Sequence, residues 1–156
     1  MLVNATDMLK AAKAGHYGIA AFNTNDLEWT RSILTAAEEL QSPVIIQCTR
    51  GAANWQQGFK VVADVVRDLV DYMNITVPVA MLLDHGTYED CFEAIAAGFT
   101  SIMYDCSTAP YEENTAQVAE MVKICHGMGV TVEGELGHVG DNEGAGKLVN
   151  PSDYFT

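Results

Sequence analysis

The chain has 156 residues, 49% hydrophobic, 19% charged and 8% aromatic, a globular composition that excludes a disordered, collagenous or low-complexity polymer. A chain of this length can bury roughly 70% of the surface its unfolded form exposes, so one compact domain needs no disulfide or metal staple. Its 8 Lys+Arg against 21 Asp+Glu give a formal charge of -13 with no basic patch, the opposite of a phosphate-backbone binder, so no nucleic acid partner is expected.

The first residues, Met1-Leu2-Val3-Asn4-Ala5-Thr6-Asp7, offer neither a basic n-region nor an apolar h-region, and no segment approaches the roughly 18 apolar residues of a membrane span. The expectation is a cytoplasmic protein without a membrane partner. Cys48, Cys91, Cys106 and Cys125 lack C-x-x-C spacing and lie in apolar-periodic segments, where a buried thiol is the plain reading.

In chain order, Ile19-Ala-Ala-Phe22 is a short apolar run followed by Asn23-Thr-Asn25-Asp26, a loop ending in an N-cap aspartate. From Leu27 apolar residues recur at helical spacing through Leu40, and Ser42-Pro43 ends that helix because proline cannot continue it. Val44-Ile-Ile-Gln-Cys48 is continuous and β-branched, as a strand buried on both faces of a parallel sheet should be. After a turn around 51 to 54, a helix marked by Phe59, Val62, Val66 and Leu69 precedes the strand Val79-Ala-Met-Leu-Leu83. Thr87 with Asp90 caps a helix running to Gly98, and Ser101-Ile-Met-Tyr104 is strand four. Pro110 opens the next helix, and Thr131-Val-Glu-Gly-Glu135 reads as strand five. Alternation of this kind predicts an α/β fold with a parallel sheet and right-handed crossovers, in one domain spanning 1–156.

Ligands in such folds bind at the carboxyl ends of the strands. Those ends carry Asn23 and Asn25, Thr49 and Arg50, Asp84 and His85, Asp105 and Ser107, then Glu135, His138, Asp141 and Glu143. Asp84-His85-Gly86 is the sharpest local signal: neighbours on a strand point to opposite sides and could present a carboxylate and an imidazole to adjoining sub-sites, one for metal and one for a proton. A helix-capping Asp beside a surface His is the plain alternative. Asp105 and Glu135 are carboxylates suited to a hard or borderline divalent ion, or else a turn Asp and a solvated Glu. The glycine-rich acidic stretch 137–147 suits a loop that closes over a site, but Leu148 and the glycine spacing exclude a Walker loop. Lys10, Lys13, Lys60, Lys123 and Lys147 all avoid the predicted strands, so a Schiff-base nucleophile has no candidate and carbon chemistry here would need a metal.

Ala21-Phe22-Asn23, Ser42-Pro-Val-Ile-Ile-Gln47, Leu83-Asp84-His85-Gly86, Ser101-Ile-Met-Tyr-Asp105-Cys-Ser107, Glu112-Glu113-Asn114 and Val132-Glu-Gly-Glu135-Leu-Gly137 follow one another in collinear order. With these motifs the chain resembles the class II, zinc-dependent fructose- and tagatose-bisphosphate aldolases. The resemblance implies a (β/α)8 TIM barrel, of which this chain supplies roughly the first five β/α units. It implies a lyase of glycolysis and carbohydrate metabolism that cleaves a ketose 1,6-bisphosphate, fructose 1,6-bisphosphate foremost, to dihydroxyacetone phosphate and glyceraldehyde 3-phosphate.

By the same resemblance His85 is a ligand of the catalytic zinc (Zn2+) and Asp84 the general acid/base. Asp105 and Glu135 hold a second divalent or monovalent cation, or an alternative position of the zinc. Thr49 contacts the aldehyde-phosphate half, Asn23 joins it in binding the sugar-phosphate substrate, and Glu143 is the loop glutamate linked to proton exchange. Zinc would act as a Lewis acid on the ketone, and the global negative charge is no obstacle because screening sets in over about 8 Å.

A closed barrel of this kind takes about 250 residues, and the family's other zinc histidines and phosphate loop would lie past Thr156. The expectation is therefore an amino-terminal portion, inactive alone and prone to associate through a bare strand edge, with the complete protein a dimer or tetramer. Two readings compete with it: a non-catalytic half-barrel module binding phosphate or a partner, and another metal-dependent TIM-barrel lyase such as a tagatose-bisphosphate aldolase.

Overall fold

The computed structural model describes residues 1–137. Its elements are α1 (Thr6–Gly15), β1 (Ala20–Asn23), α2 (Leu27–Glu39), β2 (Val44–Thr49), α3 (Arg50–Trp55), α4 (Phe59–Tyr72), β3 (Val79–Gly86), α5 (Tyr88–Ala97), β4 (Ser101–Tyr104), α6 (Tyr111–Gly127) and β5 (Thr131–Glu133). The strands form one parallel sheet in the order β1-β2-β3-β4-β5. A doubly wound sheet reverses its strand order at a switch point, whereas this strictly sequential order is that of a barrel wall.

Period-two alternation sorts the strand side chains into two layers. Val44, Ile46 and Cys48 of β2 and Val79, Met81 and Leu83 of β3 join Leu34, Phe59, Val62, Val66, Ile102 and Met121 in the large core between sheet and helices. On the concave side, Ile45, Ala80, Leu82 and Met103 pack with Ala5 and Met8, so α1 plugs the amino-terminal end of the strands. The carboxyl ends are left for polar groups.

The capping box predicted at Thr87 is present: its hydroxyl accepts from Asp90 N–H, and the Asp90 carboxylate accepts from Thr87 N–H. Strand four has the predicted bounds. Other bounds moved. β1 starts and ends one residue later than the apolar run, β3 continues three residues further to Gly86, and β5 stops at Glu133 so that Glu135 lies beyond it. Pro110 flanks α6 rather than opening it. The turn expected at 51 to 54 is a short helix, α3, whose cap is the Thr49 hydroxyl accepting from Ala52 N–H at 3.2 Å. All four cysteines are buried free thiols. Burial, helped by the charge of Asp84, pushes Cys48 up to about 11, and burial pushes Cys91 up to about 12. No helix among the described residues is long and apolar enough to cross a membrane.

Candidate active site

The carboxyl ends of β1 to β5 bring Asn23, Gln47, Thr49, Asp84, His85, Asp105 and Glu135 toward one rim. Two connected groups occupy it. In the first, Asn23 Nδ2 donates to Asp84 Oδ2 at 2.8 Å, while Gln47 Nε2 donates to the same oxygen at 3.2 Å and to Asn23 Oδ1 at 2.9 Å. Sheet register explains the meeting: Asn23 pairs with Gln47, and Thr49 pairs with Asp84. One oxygen of Asp84 is thereby held by two amides, and the other faces the second group, with Oδ1 3.9 Å from His85 Nε2.

In the second group His85 Nδ1 lies 2.8 Å from Asp105 Oδ2 and 3.8 Å from Glu135 Oε2. One donor atom from each of His85, Asp105 and Glu135 lies within 4.8 Å of the others, a set that suits a divalent cation in both charge and ligand type. The imidazole is 51% exposed but the Glu135 and Asp84 side chains only 15%, so the carboxylates form the floor and His85 the accessible wall.

Adjacent strand residues should point to opposite faces, yet Asp84 and His85 meet the same site. The reason is a bulge. Leu83 pairs with Ile102 but Gly86 with Tyr104, so β3 carries one residue more than β4 over this stretch. His85 takes a left-handed backbone, φ 53°, which turns its ring inward instead of toward the helix layer. A non-glycine residue there costs roughly 1 to 3 kcal/mol, a strain characteristic of functional positions. Gly86 beside it is required by space: a Cβ would come within 2.4 Å of Leu83 Cδ2.

The electrostatics follow from this geometry. The hydrogen bond to Asp105 raises the His85 pKa above its ordinary value; burial opposes it, and the charges of Asp84, Asp105 and Glu135 reinforce it. Burial pushes Asp105 upward, but the bonds from His85 and Ser107 outweigh that and leave its carboxyl below the ordinary value. Glu133, the last residue of β5, keeps an exposed flank, yet its carboxyl is raised, first by partial desolvation and then by the charge of Asp84; His85 opposes the rise and Glu135 adds to it.

Thr49 stands at the rim, its hydroxyl engaged as the α3 cap. Arg50 does not join the site. Arg50 is the first residue of α3 rather than a strand residue, and its side chain turns into the helix layer, where it pairs with Asp90 and Glu93 of α5. Ser107 shapes Asp105 through a backbone N–H bond of 3.0 Å. His126 sits in the last turn of α6, at the opposite end of the sheet. The lysines of the described residues, Lys10, Lys13, Lys60 and Lys123, are all on helices. Glu143, with His138 and Asp141, lies outside the described residues.

Two contributors, Gln47 and Asn114, stand in motifs that carry the resemblance but received no site role from the sequence. Gln47 had a signal, a polar residue at an inward position of an otherwise apolar strand. Asn114 of α6, 4% exposed, donates Nδ2 to the Glu135 backbone carbonyl at 2.8 Å and so fixes the segment carrying that carboxylate; no spacing rule marks such a bond.

A family model for class II fructose-bisphosphate aldolase matches residues 3–156. The fructose-bisphosphate aldolase of Streptococcus pyogenes serotype M3 is 51% identical over 142 residues, covering 91% of this chain and 48% of that protein. That of Geobacillus stearothermophilus is 51% identical over 143 residues, covering 91% and 50%. Among solved structures, the YdjI aldolase of Escherichia coli K12 superposes with a TM-score of 0.80 at 34% identity, covering 90% of this chain and 53% of that one. The chain spans about half the length of the curated relatives it matches.

Proposed function

This chain belongs to the class II fructose-bisphosphate aldolase family, and on that premise we propose that it supplies the acid/base and the cation-holding wall of an aldolase site for a ketose 1,6-bisphosphate. The described residues provide five of the eight strands of a TIM barrel, so the active unit is this chain, a single domain, joined to three further strand–helix units.

The family is metal-dependent, and the donor set of His85, Asp105 and Glu135 fits a zinc ion, one imidazole and two carboxylates being within reach of each other. When bound, zinc would supply Lewis-acid polarisation of the substrate ketone.

The remaining chemistry falls to side chains of this chain. Asp84 has one oxygen fixed by Asn23 and Gln47, which keeps the carboxylate from rotating and leaves Oδ1 directed toward the cation-holding group. A carboxylate so held can take the proton of the substrate hydroxyl whose carbon is cleaved and return it in the reverse condensation. Preorganisation matters because a carboxylate that must reorient during reaction forfeits part of its advantage. Thr49, accepting from Ala52 N–H, still carries its own hydroxyl proton and can donate to the aldehyde-phosphate half. Asn23 borders the same space, and Glu143 of the glycine-rich stretch is assigned proton exchange by its place in the family motif. Fructose 1,6-bisphosphate is the substrate favoured, since the matched Streptococcus and Geobacillus relatives bear the name fructose-bisphosphate aldolase.

The observation that carries this reading is the adjacency of an amide-anchored carboxylate, Asp84, to the His85, Asp105 and Glu135 cluster. To test it, residues 1–156 are combined with a polypeptide bearing the remaining strand–helix units of a relative, and zinc-dependent release of triose phosphate is followed. Cleavage should appear only in the assembled barrel. It should vanish in Asp84→Ala with zinc binding retained, and in His85→Ala with zinc binding lost. Indifference of both zinc binding and cleavage to the two substitutions would overturn the proposal.

A further inference from the structure

The ladder between β2 and β3 ends at Thr49↔Asp84, so no strand pairing on the β2 side holds residues 85–87. On the β4 side the next fixed point is Gly86, paired with Tyr104 and accepting from Asp105 N–H at 3.3 Å. His85 thus sits between two anchors, in a left-handed backbone state, with one flank of its turn untied by the sheet.

Arg50 reaches that flank. It leaves the end of β2 directly after Thr49 and donates Nε to Asp90 Oδ1 at 2.7 Å, and its Nη2 pairs with Asp90 and with Glu93. The guanidinium lies 4.3 Å above the Phe59 ring, and Phe59 in turn packs edge-on against Phe99 in the core, so the side chain has a rigid bed. Asp90 is the central contact: its side chain is only 13% exposed against 56% for Glu93, where solvent screens the pair. The other oxygen of Asp90 accepts from Thr87 N–H at 3.1 Å, the residue immediately following Gly86.

We infer that Arg50 is a positioning residue for His85, acting through Asp90 and Thr87 N–H to tie the loose flank of the β3 turn to β2 and hold the imidazole toward Asp105 and Glu135. The relay is short: guanidinium to carboxylate, carboxylate to the Thr87 peptide, and that peptide through Gly86 to His85 in its left-handed backbone state. Arg is suited to it because a planar fork can engage Asp90 and Glu93 together while stacking on Phe59, which an ammonium cannot do. The inference rests on the reading of His85 as a cation-holding residue, but it has a consequence in the metal-free chain as well.

The test follows the ring nitrogens of His85 by NMR in metal-free residues 1–156 and the affinity for zinc by calorimetry, for Arg50→Ala, Arg50→Lys and the control Lys60→Ala. The control breaks the exposed Lys60–Asp64 pair on α4, in which neither Arg50, Asp90 nor Thr87 takes part. Arg50→Ala should lose the shift signature of the Nδ1 bond to Asp105 and weaken zinc binding about tenfold, the lower end for groups that orient metal ligands. Arg50→Lys should fall between it and the unmodified chain, and Lys60→Ala should match the unmodified chain. Should Arg50→Ala prove unfolded by circular dichroism, the Lys variant decides, with an intermediate His85 spectrum expected. A His85 spectrum unchanged by the Arg50 substitutions overturns the inference whatever zinc does. Absence of zinc binding in the unmodified chain would instead count against the cation reading, leaving the ring spectra to judge Arg50.

Discussion

His85 Nδ1 stands 2.8 Å from Asp105 Oδ2, and each group holds the other in its charged form. The folded pKa of His85 is raised, so its contribution to stability is present below the ordinary value of 6.5 and is lost as pH rises through the higher folded value. Asp105 has the opposite sign: its folded pKa lies below 3.8, so its contribution is present above that value and is lost as pH falls through the lower one. The pair is therefore strongest between those limits. A cation requires the imidazole lone pair, so proton and metal compete at His85. In the metal-free chain His85 should titrate above 6.5 by NMR, with a lower midpoint in Asp105→Asn, and zinc affinity should climb from about pH 6 to about pH 8. A midpoint at or below 6.5 in the unmodified chain contradicts this account.

Gln47 touches both Asn23 and Asp84, and its removal tests preorganisation separately from metal binding. A hydrogen bond to a charged group contributes about 1.5 to 3 kcal/mol, which as a barrier change is roughly tenfold to a hundredfold in rate. Gln47→Leu, of similar size and without the amide, should lower kcat of the assembled barrel by about tenfold or more, while zinc affinity stays within about twofold. A rate unchanged by the substitution means that Asn23 alone fixes the carboxylate.

Asn114 offers a cleaner probe of the Glu135 segment, because Asn114→Asp keeps the shape and reverses the polarity facing the Glu135 carbonyl. The part-buried carbonyl would lose its donor and face a buried carboxylate, at a cost of at least about 1 to 3 kcal/mol. Thermal unfolding should shift downward and zinc binding should weaken, since the Glu135 carboxylate loses its fixed backbone. Melting and affinity equal to the unmodified chain would show that the segment is held by other contacts.

Much of this fold is written locally, and what is not has physical causes. Strand four and the Thr87 capping box are legible because each rests on a few neighbouring residues, apolar side chains in one case and a hydroxyl and carboxylate three apart in the other. The start of α1 is not written locally, because Ala5 at its N-cap provides no side-chain bond, and its purpose, covering Ile45 and Ala80, is visible only in three dimensions. The convergence of Asp84, His85, Asp105 and Glu135 followed from their common place at strand ends. The inward turn of His85 did not, since it depends on a bulge created by pairing with β4. Arg50 misled for the complementary reason: it has a strand-end address, but its side chain is drawn to partners forty and forty-three residues away.

The outer edge of β1 carries a prediction about association. Among the described residues β1 pairs only with β2, its four residues are all exposed, and Phe22 is 51% exposed on a strand that a closed barrel would cover. Beside it runs a groove of about 420 Å³ lined by Ala20, Phe22, Ile33, Ala36, Leu40 and Val44. An unpaired strand edge next to an apolar groove is a template for another chain, and a lysine there is the usual way proteins blunt it. Residues 1–156 alone should therefore associate with rising concentration in sedimentation velocity. Phe22→Lys should shift the distribution toward monomer, and so should addition of the complementary strand–helix units, which compete for the same edge. Leu40→Glu, at the far end of the groove, should act in the same direction without touching the strand. A chain that stays monomeric at high concentration, or an association indifferent to both substitutions, would show that this edge is already protected.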